Sequence, residues 1–149
     1  MRIEQNRRKP NQRYIVTTFK DRKLKQSIVT FNELQKIKQE ETDLFINEPA
    51  REVSYQSQEG KRIDYEDGIP CVGSYEWRLL LDILWAAGEW VDLDSANYIN
   101  ARVLRLRKAF SGSKKKPWFF QTRRNPTYSI RFNPSKSWRF LEKKAETCE

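Results

Sequence analysis

The chain has 149 residues, a formal net charge of +9 and no histidine. This length suits one main hydrophobic core, and the lack of an imidazole excludes Ser–His, Cys–His and zinc-hydrolase mechanisms. The two distant cysteines, Cys71 and Cys148, favour reduced thiols over a disulfide or a metal site. No apolar run has the roughly 20 residues of a membrane span. We therefore expect a cytoplasmic protein without cofactor, metal or small-molecule ligand.

Charge is segregated along the chain. The first 25 residues hold nine basic and two acidic residues, whereas residues 31–67 hold ten acidic and five basic ones. Residues 95–141 then contain twelve basic residues and no acidic residue. A one-signed positive segment attracts a polyanion by releasing its condensed counterions, so the pattern indicates a nucleic-acid partner.

The N-terminal third predicts a small α/β unit behind a basic arm. Residues 1–13 are polar and form the predicted arm, and residues 14–50 form the predicted extension. Within it, two β-prone runs flank a charged turn, and Thr30 with Glu33 fits a capping box that starts a short helix. A second predicted hairpin follows within residues 52–65.

Two helices are predicted next. Ser74 is a suitable N-cap and Gly88 a suitable end for the first, whose apolar residues repeat at the spacing of a buried face, namely Trp77, Leu80, Leu81, Leu84 and Trp85. The second covers residues 94–110, with an apolar stripe of Ile99, Val103, Leu106 and Phe110. We assign these apolar residues to the core.

The other side of helix 94–110 is basic and carries small and amide residues. At about 100° per residue, this side presents Asn97, Ala101, Arg105 and Lys108, with Tyr98 and Arg102 on one flank and Arg107 on the other. Arginine pairs bidentately with guanine and asparagine with adenine, so this surface suits the major groove. A solvated basic face is the competing interpretation.

A lysine-rich loop and an arginine-tipped hairpin follow. The loop contains Lys114, Lys115 and Lys116, and the predicted hairpin covers residues 118–132 with Arg123 and Arg124 at its turn. Protruding basic side chains of this kind contact phosphates or enter a narrow minor groove.

The order of these elements resembles the DNA-binding domain of the OmpR/PhoB response-regulator family. Gly73 to Leu80 is similar to the start of the family's first helix, and Ala87 to Val91 to its exit. Residues 99–110, which include Leu106-Arg107-Lys108, resemble its recognition helix, and residues 121–128 its wing. The resemblance implies an α+β winged helix-turn-helix over residues 51–134, with an N-terminal antiparallel sheet, a C-terminal wing hairpin and a tail at 135–149.

The sequence departs from that family in three places. Only residues 89–94 are available for the family's middle helix and loop, and Asn125-Pro126-Thr127 replaces the wing's Gly-x-Gly. The N-terminal 50 residues contain no recognisable receiver domain, so phosphorelay control is not implied.

The leading hypothesis is a sequence-specific regulator of transcription that binds double-stranded DNA and represses a promoter. A homodimer is expected, with its interface in the acidic N-terminal portion or on the tail residues Trp138, Phe140 and Leu141. One alternative is an RNA or single-strand binding module in which aromatic residues stack on bases, namely Trp118, Phe119, Phe120 and Tyr128. Another is a DNA-binding subunit of a larger complex.

Catalysis is the least favoured interpretation. Five carboxylates, Glu48, Glu52, Asp64, Glu66 and Asp67, lie in turns without a recognisable metal-ligand pattern. A solvated acidic surface explains them better than a magnesium nuclease site, and the chain is predicted not to be an enzyme.

Overall fold

The computed structural model describes residues 11–69, 72–93 and 99–145, in which the chain forms two β-sheets and three α-helices. The helices are α1 (Phe31–Gln35), α2 (Ser74–Trp85) and α3 (Ile99–Ala109), with a short 3-10 helix at Gln39–Glu41. The strands are β1 (Arg13–Lys20), β2 (Lys23–Thr30), β3 (Leu44–Asn47), β4 (Glu52–Gln56), β5 (Arg62–Glu66), β6 (Val91–Asp92), β7 (Phe120–Arg123), β8 (Ser129–Phe132) and β9 (Trp138–Lys143).

The larger sheet has six strands in the order β2-β1-β9-β3-β4-β5. Strands β3 and β9 pair in parallel, and every other neighbouring pair is antiparallel. The smaller sheet has the order β6-β8-β7. The last strand of the chain therefore lies in the middle of the large sheet, between strands from the N-terminal half.

One face of the large sheet, which we call the inner face, carries the main core. Phe19, Tyr55 and Trp138 project from it and are buried beneath α2, α3 and the smaller sheet. The Trp138 ring stacks on Phe19 at 6.1 Å between centroids and on Trp85 of α2 at 5.2 Å. Burying a side chain of this size stabilises the fold by about 2 to 3 kcal/mol, so the aromatic residues hold the layers together.

The opposite, outer face is covered only in part. Helix α1 packs Leu34 against Val16, Phe45 and Leu141 in a second, smaller core. The predicted capping box is confirmed, because the Thr30 hydroxyl accepts from the Glu33 N–H while the Glu33 carboxylate accepts from the Thr30 N–H. The 3-10 helix covers β3 and β4 next to α1, where Ser54 is buried and Arg62 donates to the Thr42 carbonyl oxygen. The β2 side of the outer face is open.

The predicted winged helix-turn-helix fold class is wrong. The described residues form a mixed α+β fold dominated by the six-stranded sheet, with three helices and no helical bundle. The reason lies in the predicted tail at residues 135–149, where buried residues alternate so that Trp138 and Phe140 enter the main core and Leu141 the second one. Both faces of β9 are thus covered, which is typical of a central strand.

The large sheet crosses the predicted domain boundaries. The boundary at residue 50 falls between β3 and β4, which pair with each other, and β9 pairs with both β1 and β3. The predicted extension, binding domain and tail therefore share one sheet. Most of the predicted arm, residues 1–10, lies outside the described residues.

Two predicted helices and the predicted hairpin at 118–132 are present in the structure. The helix predicted from Ser74 is confirmed at Ser74–Trp85, although Gly73 rather than Ser74 is its N-cap. The second predicted helix is present at Ile99–Ala109, and the predicted hairpin at 118–132 consists of β7 and β8. Residues 94–98 lie outside the described residues, as do Cys71 and Cys148.

Among the described residues, no helix is long and apolar enough to cross a membrane. In the same part of the chain, no three or more Cys, Asp or Glu side chains are grouped as a metal ion would require.

Candidate nucleic-acid interface

Helix α3 is packed on one side and open on the other. Val103, Leu106 and Ala109 are buried, whereas Asn100, Leu104, Arg105 and Lys108 are exposed. Leu104 lies on the exposed face with 41% of its surface accessible. We call Asn100, Ala101, Leu104 and Lys108 the helix face, and it contains two of the predicted site residues, Ala101 and Lys108.

The first two arginines of α3 are directed to a carboxylate of α2. Glu76 is only 5% exposed, and its Oε2 lies 3.2 Å from Arg105 Nη2 and 4.0 Å from Arg102 Nε. The Arg102 guanidinium also covers the Tyr75 ring at 4.0 Å. Arg105 keeps 45% of its side chain accessible. It is therefore both tethered to α2 and open to a ligand.

Glu76 also caps the helix that carries it. Its Oε1 accepts from the Gly73 N–H at 2.8 Å, which satisfies a free backbone donor of the first turn. Burial alone would raise the pKa of this carboxyl, but the backbone donors and the Arg105 guanidinium lower the pKa by more. The net pKa therefore lies below its ordinary value. Glu76 is thus charged at neutral pH and fixes α3 against the start of α2.

The third arginine of α3 is internal. Arg107 is 6% exposed, and its Nη2 donates to the Thr122 hydroxyl of β7 at 2.8 Å. Burial lowers the pKa of this guanidinium, and its Nε has no hydrogen-bond partner among the described residues. Arg107 was expected on a flank of the DNA-facing side of the helix, but this position does not face a ligand, because the side chain joins α3 to the hairpin instead.

The hairpin carries its arginines on the face that points away from the core. Strand pairing places Gln121, Arg123 and Arg131 on one side, and Phe120, Ile130 and Phe132 on the buried side. The guanidinium carbons of Arg123 and Arg131 lie 4.3 and 4.5 Å from the centroid of the Trp90 ring. Two arginines therefore share one indole, which is a favourable cation–π arrangement.

These arginines are positioned without being neutralised. Arg124 rests on the Tyr128 ring at 4.4 Å, and Arg131 Nε donates to the Gln121 amide oxygen at 2.8 Å. Within the described part of the chain, no ion pair joins Arg123, Arg124 or Arg131 to a carboxylate. We call these three residues the hairpin arginines. Ring contacts leave the edge N–H groups of a guanidinium available for phosphate oxygens.

The turn end of the hairpin is fixed by one aspartate. Asp92 of β6 accepts hydrogen bonds from the hydroxyls of Thr127 and Ser129, both at 3.0 Å. Because β6 also pairs with β8, the turn that bears Arg124 is tied to the smaller sheet on two sides. The hairpin is consequently a fixed support for its basic side chains.

The lysine loop, defined as Lys114 to Lys116, lies after the end of α3. All three lysines are exposed, and Gln58 holds the loop by donating to the carbonyl oxygens of Ser111 and Lys116 at 2.5 and 2.9 Å. Gly112 is required within this loop, because an added Cβ would lie 2.7 Å from the Pro117 carbonyl oxygen. The loop is thus held in one conformation that presents three positive charges to solvent.

The structure therefore sorts the predicted site residues into groups. Exposed positions are held by Arg105, Lys108, the lysine loop, Arg123 and Arg124. Ala101 is half-buried, Arg102 is mostly covered, and Arg107 is buried. Asn97 and Tyr98 lie outside the described residues. Sequence analysis missed Arg131 and Trp90, although the alternation of β8 around Ile130 was enough to place Arg131 on the open face.

The aromatic residues of the single-strand alternative are mostly unavailable. Phe119 and Phe120 have no exposed surface and pack against Phe110. Trp118 donates from its indole N–H to the Gln56 carbonyl oxygen, and Lys136 covers its ring at 3.7 Å. These rings are part of the core or its rim and do not form a stacking platform.

The five carboxylates weighed as a magnesium site do not form a group of three or more. Glu52 and Glu66 are paired across β4 and β5, Asp64 is opposite Ser54, and Asp67 lies 3.9 Å from Arg51.

Comparisons with models of protein families, with curated proteins and with solved structures gave no match. The OmpR/PhoB resemblance stays a prediction, and the function must be argued from the geometry of the chain itself.

Proposed function

We propose that the protein binds double-stranded DNA with the helix face, the hairpin arginines and the lysine loop, and acts as a sequence-specific regulator of transcription. The helix face enters the major groove, where Lys108 and the accessible part of Arg105 meet base edges. The hairpin arginines and the lysine loop contact phosphates on either side. Repression by occupying a promoter is the simplest regulatory mechanism, and it would place the chain in the nucleoid.

The observation that carries this proposal is the fixed attachment of α3 to the arginine-bearing hairpin. The Arg107–Thr122 hydrogen bond and the shared core residues Leu106, Phe110 and Phe120 hold the two elements together. A basic helix and a basic hairpin in fixed relation can follow the groove and the backbone of one duplex. A basic surface that serves solubility alone has no need of this attachment.

Duplex DNA is favoured over single strands for a specific reason. Phe119 and Phe120, which a single-strand platform would need, are buried, while the accessible surface is dominated by lysine and arginine. Such side chains supply the phosphate contacts of duplex binding and a salt-dependent affinity. The discriminating experiment is a competition between a labelled duplex and unlabelled single strands of the same sequence.

The sequence preference is tested by selecting bound fragments from a random duplex pool and then replacing Arg105. The Arg105→Ala variant is expected to lose about 1 to 3 kcal/mol of affinity for the selected duplex and less for random DNA. Lys114→Ala, a control outside the groove, should weaken both equally. Equal losses on selected and random duplexes for Arg105→Ala would show that Arg105 only positions the helix.

Homodimerisation belongs to the same proposal, since one short helix covers few base pairs. The tail residues Trp138, Phe140 and Leu141 are buried in the large sheet and do not supply an interface. Light scattering with and without the selected duplex measures the mass directly. A single chain on a palindromic duplex would remove dimerisation from the proposal.

A further inference from the structure

A second basic surface lies on the outer face of the large sheet. A basin of about 530 Å³ opens beside the part covered by α1 and is lined by strands β1, β2 and β9. Its cations are Lys20, Lys23, Lys25 and Arg139. The basin is therefore separated from the helix face by the thickness of the sheet, because α3 packs on the inner face.

The strand register concentrates positive charge at one end of this basin. Lys20 stands directly opposite Lys23 across the β1–β2 pair, an arrangement that is unfavourable without a counterion. The turn between them consists of Asp21 and Arg22, which have positive φ of 54° and 63°. Lys25 lies opposite Thr18, which is in turn opposite Arg139. Four cations and one carboxylate, that of Asp21, thus line one open depression.

Little of this charge is neutralised within the molecule. Glu41 forms an ion pair with Arg139, whose Nε donates to the Thr18 hydroxyl at 3.0 Å. Among the described residues, no ion pair joins Lys20, Lys23 or Lys25 to a carboxylate. Three lysines therefore remain available for an external anion.

The surroundings of the basin favour a nucleic acid over a lipid surface. The exposed apolar residues of β2, Leu24 and Ile28, alternate with the lysines and project to the inner side of the sheet. A membrane-binding surface needs apolar and basic side chains on the same side. The basin instead offers the hydroxyls of Thr18 and Ser27, which bind phosphate oxygens alongside lysines.

We propose that the basin binds the phosphate backbone of a second DNA duplex, so that one chain joins two duplex segments across the large sheet. This inference rests on the proposed function for the first duplex. It extends that function from occupying one site to bridging two sites. Acidic residues of β5, Asp64 and Glu66, lie on the same face at the opposite edge of the sheet and confine the second duplex to the β2 side.

The test uses the full chain and two measurements, the number of short duplexes bound per chain, each duplex carrying a single half-site, and the capture of a labelled duplex by a bead-bound one. The wild type is expected to bind two duplexes per chain and to capture. Lys20→Gln/Lys23→Gln/Lys25→Gln should bind one duplex and lose at least about tenfold in capture, with a salt slope smaller by about 2 to 3. Circular dichroism verifies that each variant is folded.

The matched control is Lys36→Gln/Lys38→Gln/Lys61→Gln, which removes the same charge from exposed positions outside the basin. It should retain stoichiometry and capture. Capture by the basin variant at the wild-type level would overturn the inference, and so would vesicles of anionic lipid binding the basin in place of a duplex.

The two proposals fail in different ways. If the wild type binds one duplex per chain and captures none, the second site is wrong and the first stands. If no duplex binds at all, the proposed function fails and the bridging inference fails with it. Capture that the basin variant retains and the Lys36/Lys38/Lys61 control variant loses would identify self-association as the cause and overturn the inference.

Discussion

The arginines of α3 and those of the hairpin carry the same charge but are held in different ways. Arg105 and Arg107 donate to partners inside the fold, Glu76 and Thr122. Arg123 and Arg131 lie against the Trp90 ring, and within the described residues neither pairs with a carboxylate. Arg107 only holds the interface in shape, Arg105 is tethered but half-open, and the hairpin pair is left to bind. A count of basic residues along the sequence cannot make that distinction.

Removing Glu76, the carboxylate that Arg102 and Arg105 share, should have the largest effect on stability. Glu76→Ala leaves the Gly73 N–H and the Arg105 guanidinium without their shared acceptor, and we expect the free energy of unfolding to fall by about 2 kcal/mol. Part of the usual cost of a broken buried pair is absent because Arg105 is half-exposed. Urea denaturation measures the change.

Glu76→Gln is the matched control for this variant, since its amide oxygen still accepts from Gly73. It should lose about 1 kcal/mol. If Glu76→Ala is as stable as the wild type, Glu76 does not organise α3 and the first half of the comparison is wrong.

The same carboxyl should make the fold sensitive to acid. The pKa of Glu76 is lower in the folded chain than its ordinary value of 4.5, so its stabilising contribution is complete above that value. The contribution is lost as the pH falls through the folded-state pKa. Urea unfolding of the wild type and of Glu76→Gln from neutral to acid pH should therefore give stability curves that converge in acid.

Glu33→Gln is a useful reference for this experiment. Glu33 is exposed and lies outside the interface, and hydrogen bonds from the Thr30 backbone and side chain lower its pKa. The Glu33→Gln stability curve therefore shows what a carboxyl outside the interface contributes to the pH dependence. Curves for Glu76→Gln that stay parallel to the wild type in acid would show that Glu76 does not contribute to the pH dependence.

The smallest effect is expected from Arg107→Met, which replaces the buried cation with an apolar side chain of comparable length. Loss of the Thr122 hydrogen bond is offset by removing a charge from a buried position, so the unfolding free energy should stay within about 1 kcal/mol. The affinity for duplex DNA should be unchanged, because the shared core residues Leu106, Phe110 and Phe120 still hold α3 against the hairpin. A weaker, less salt-dependent affinity would mean that Arg107 reaches phosphate.

Local patterns in the sequence predicted local structure and missed the way the chain assembles. The apolar spacing of α3 and the Thr30–Glu33 capping box are determined within a few residues, and both are present. The position of β9 depends on pairing with β1 and β3, which lie about a hundred residues earlier in the chain. Nothing in residues 135–149 alone specifies those partners, so the segment was predicted as a tail.

The candidate site was predicted in part for the same reason. Helical periodicity placed Ala101 and Lys108 correctly on the open face of α3. It also placed Arg107 on a flank, because periodicity does not show that β7 packs there and that Thr122 can accept from a buried guanidinium. The role of Trp90 depends on β6 joining β8, a pairing of only two residues per strand.

The most direct test of the account is the salt dependence of binding to one short duplex, measured by fluorescence anisotropy for the wild type, Arg123→Gln/Arg131→Gln and Arg107→Met. The hairpin variant should lose at least about tenfold in affinity, and its log–log salt slope should fall by about 2, one counterion for each phosphate contact removed. Arg107→Met should match the wild type. A hairpin variant that binds with the wild-type slope, or a wild-type chain that does not bind duplex DNA, would contradict the account.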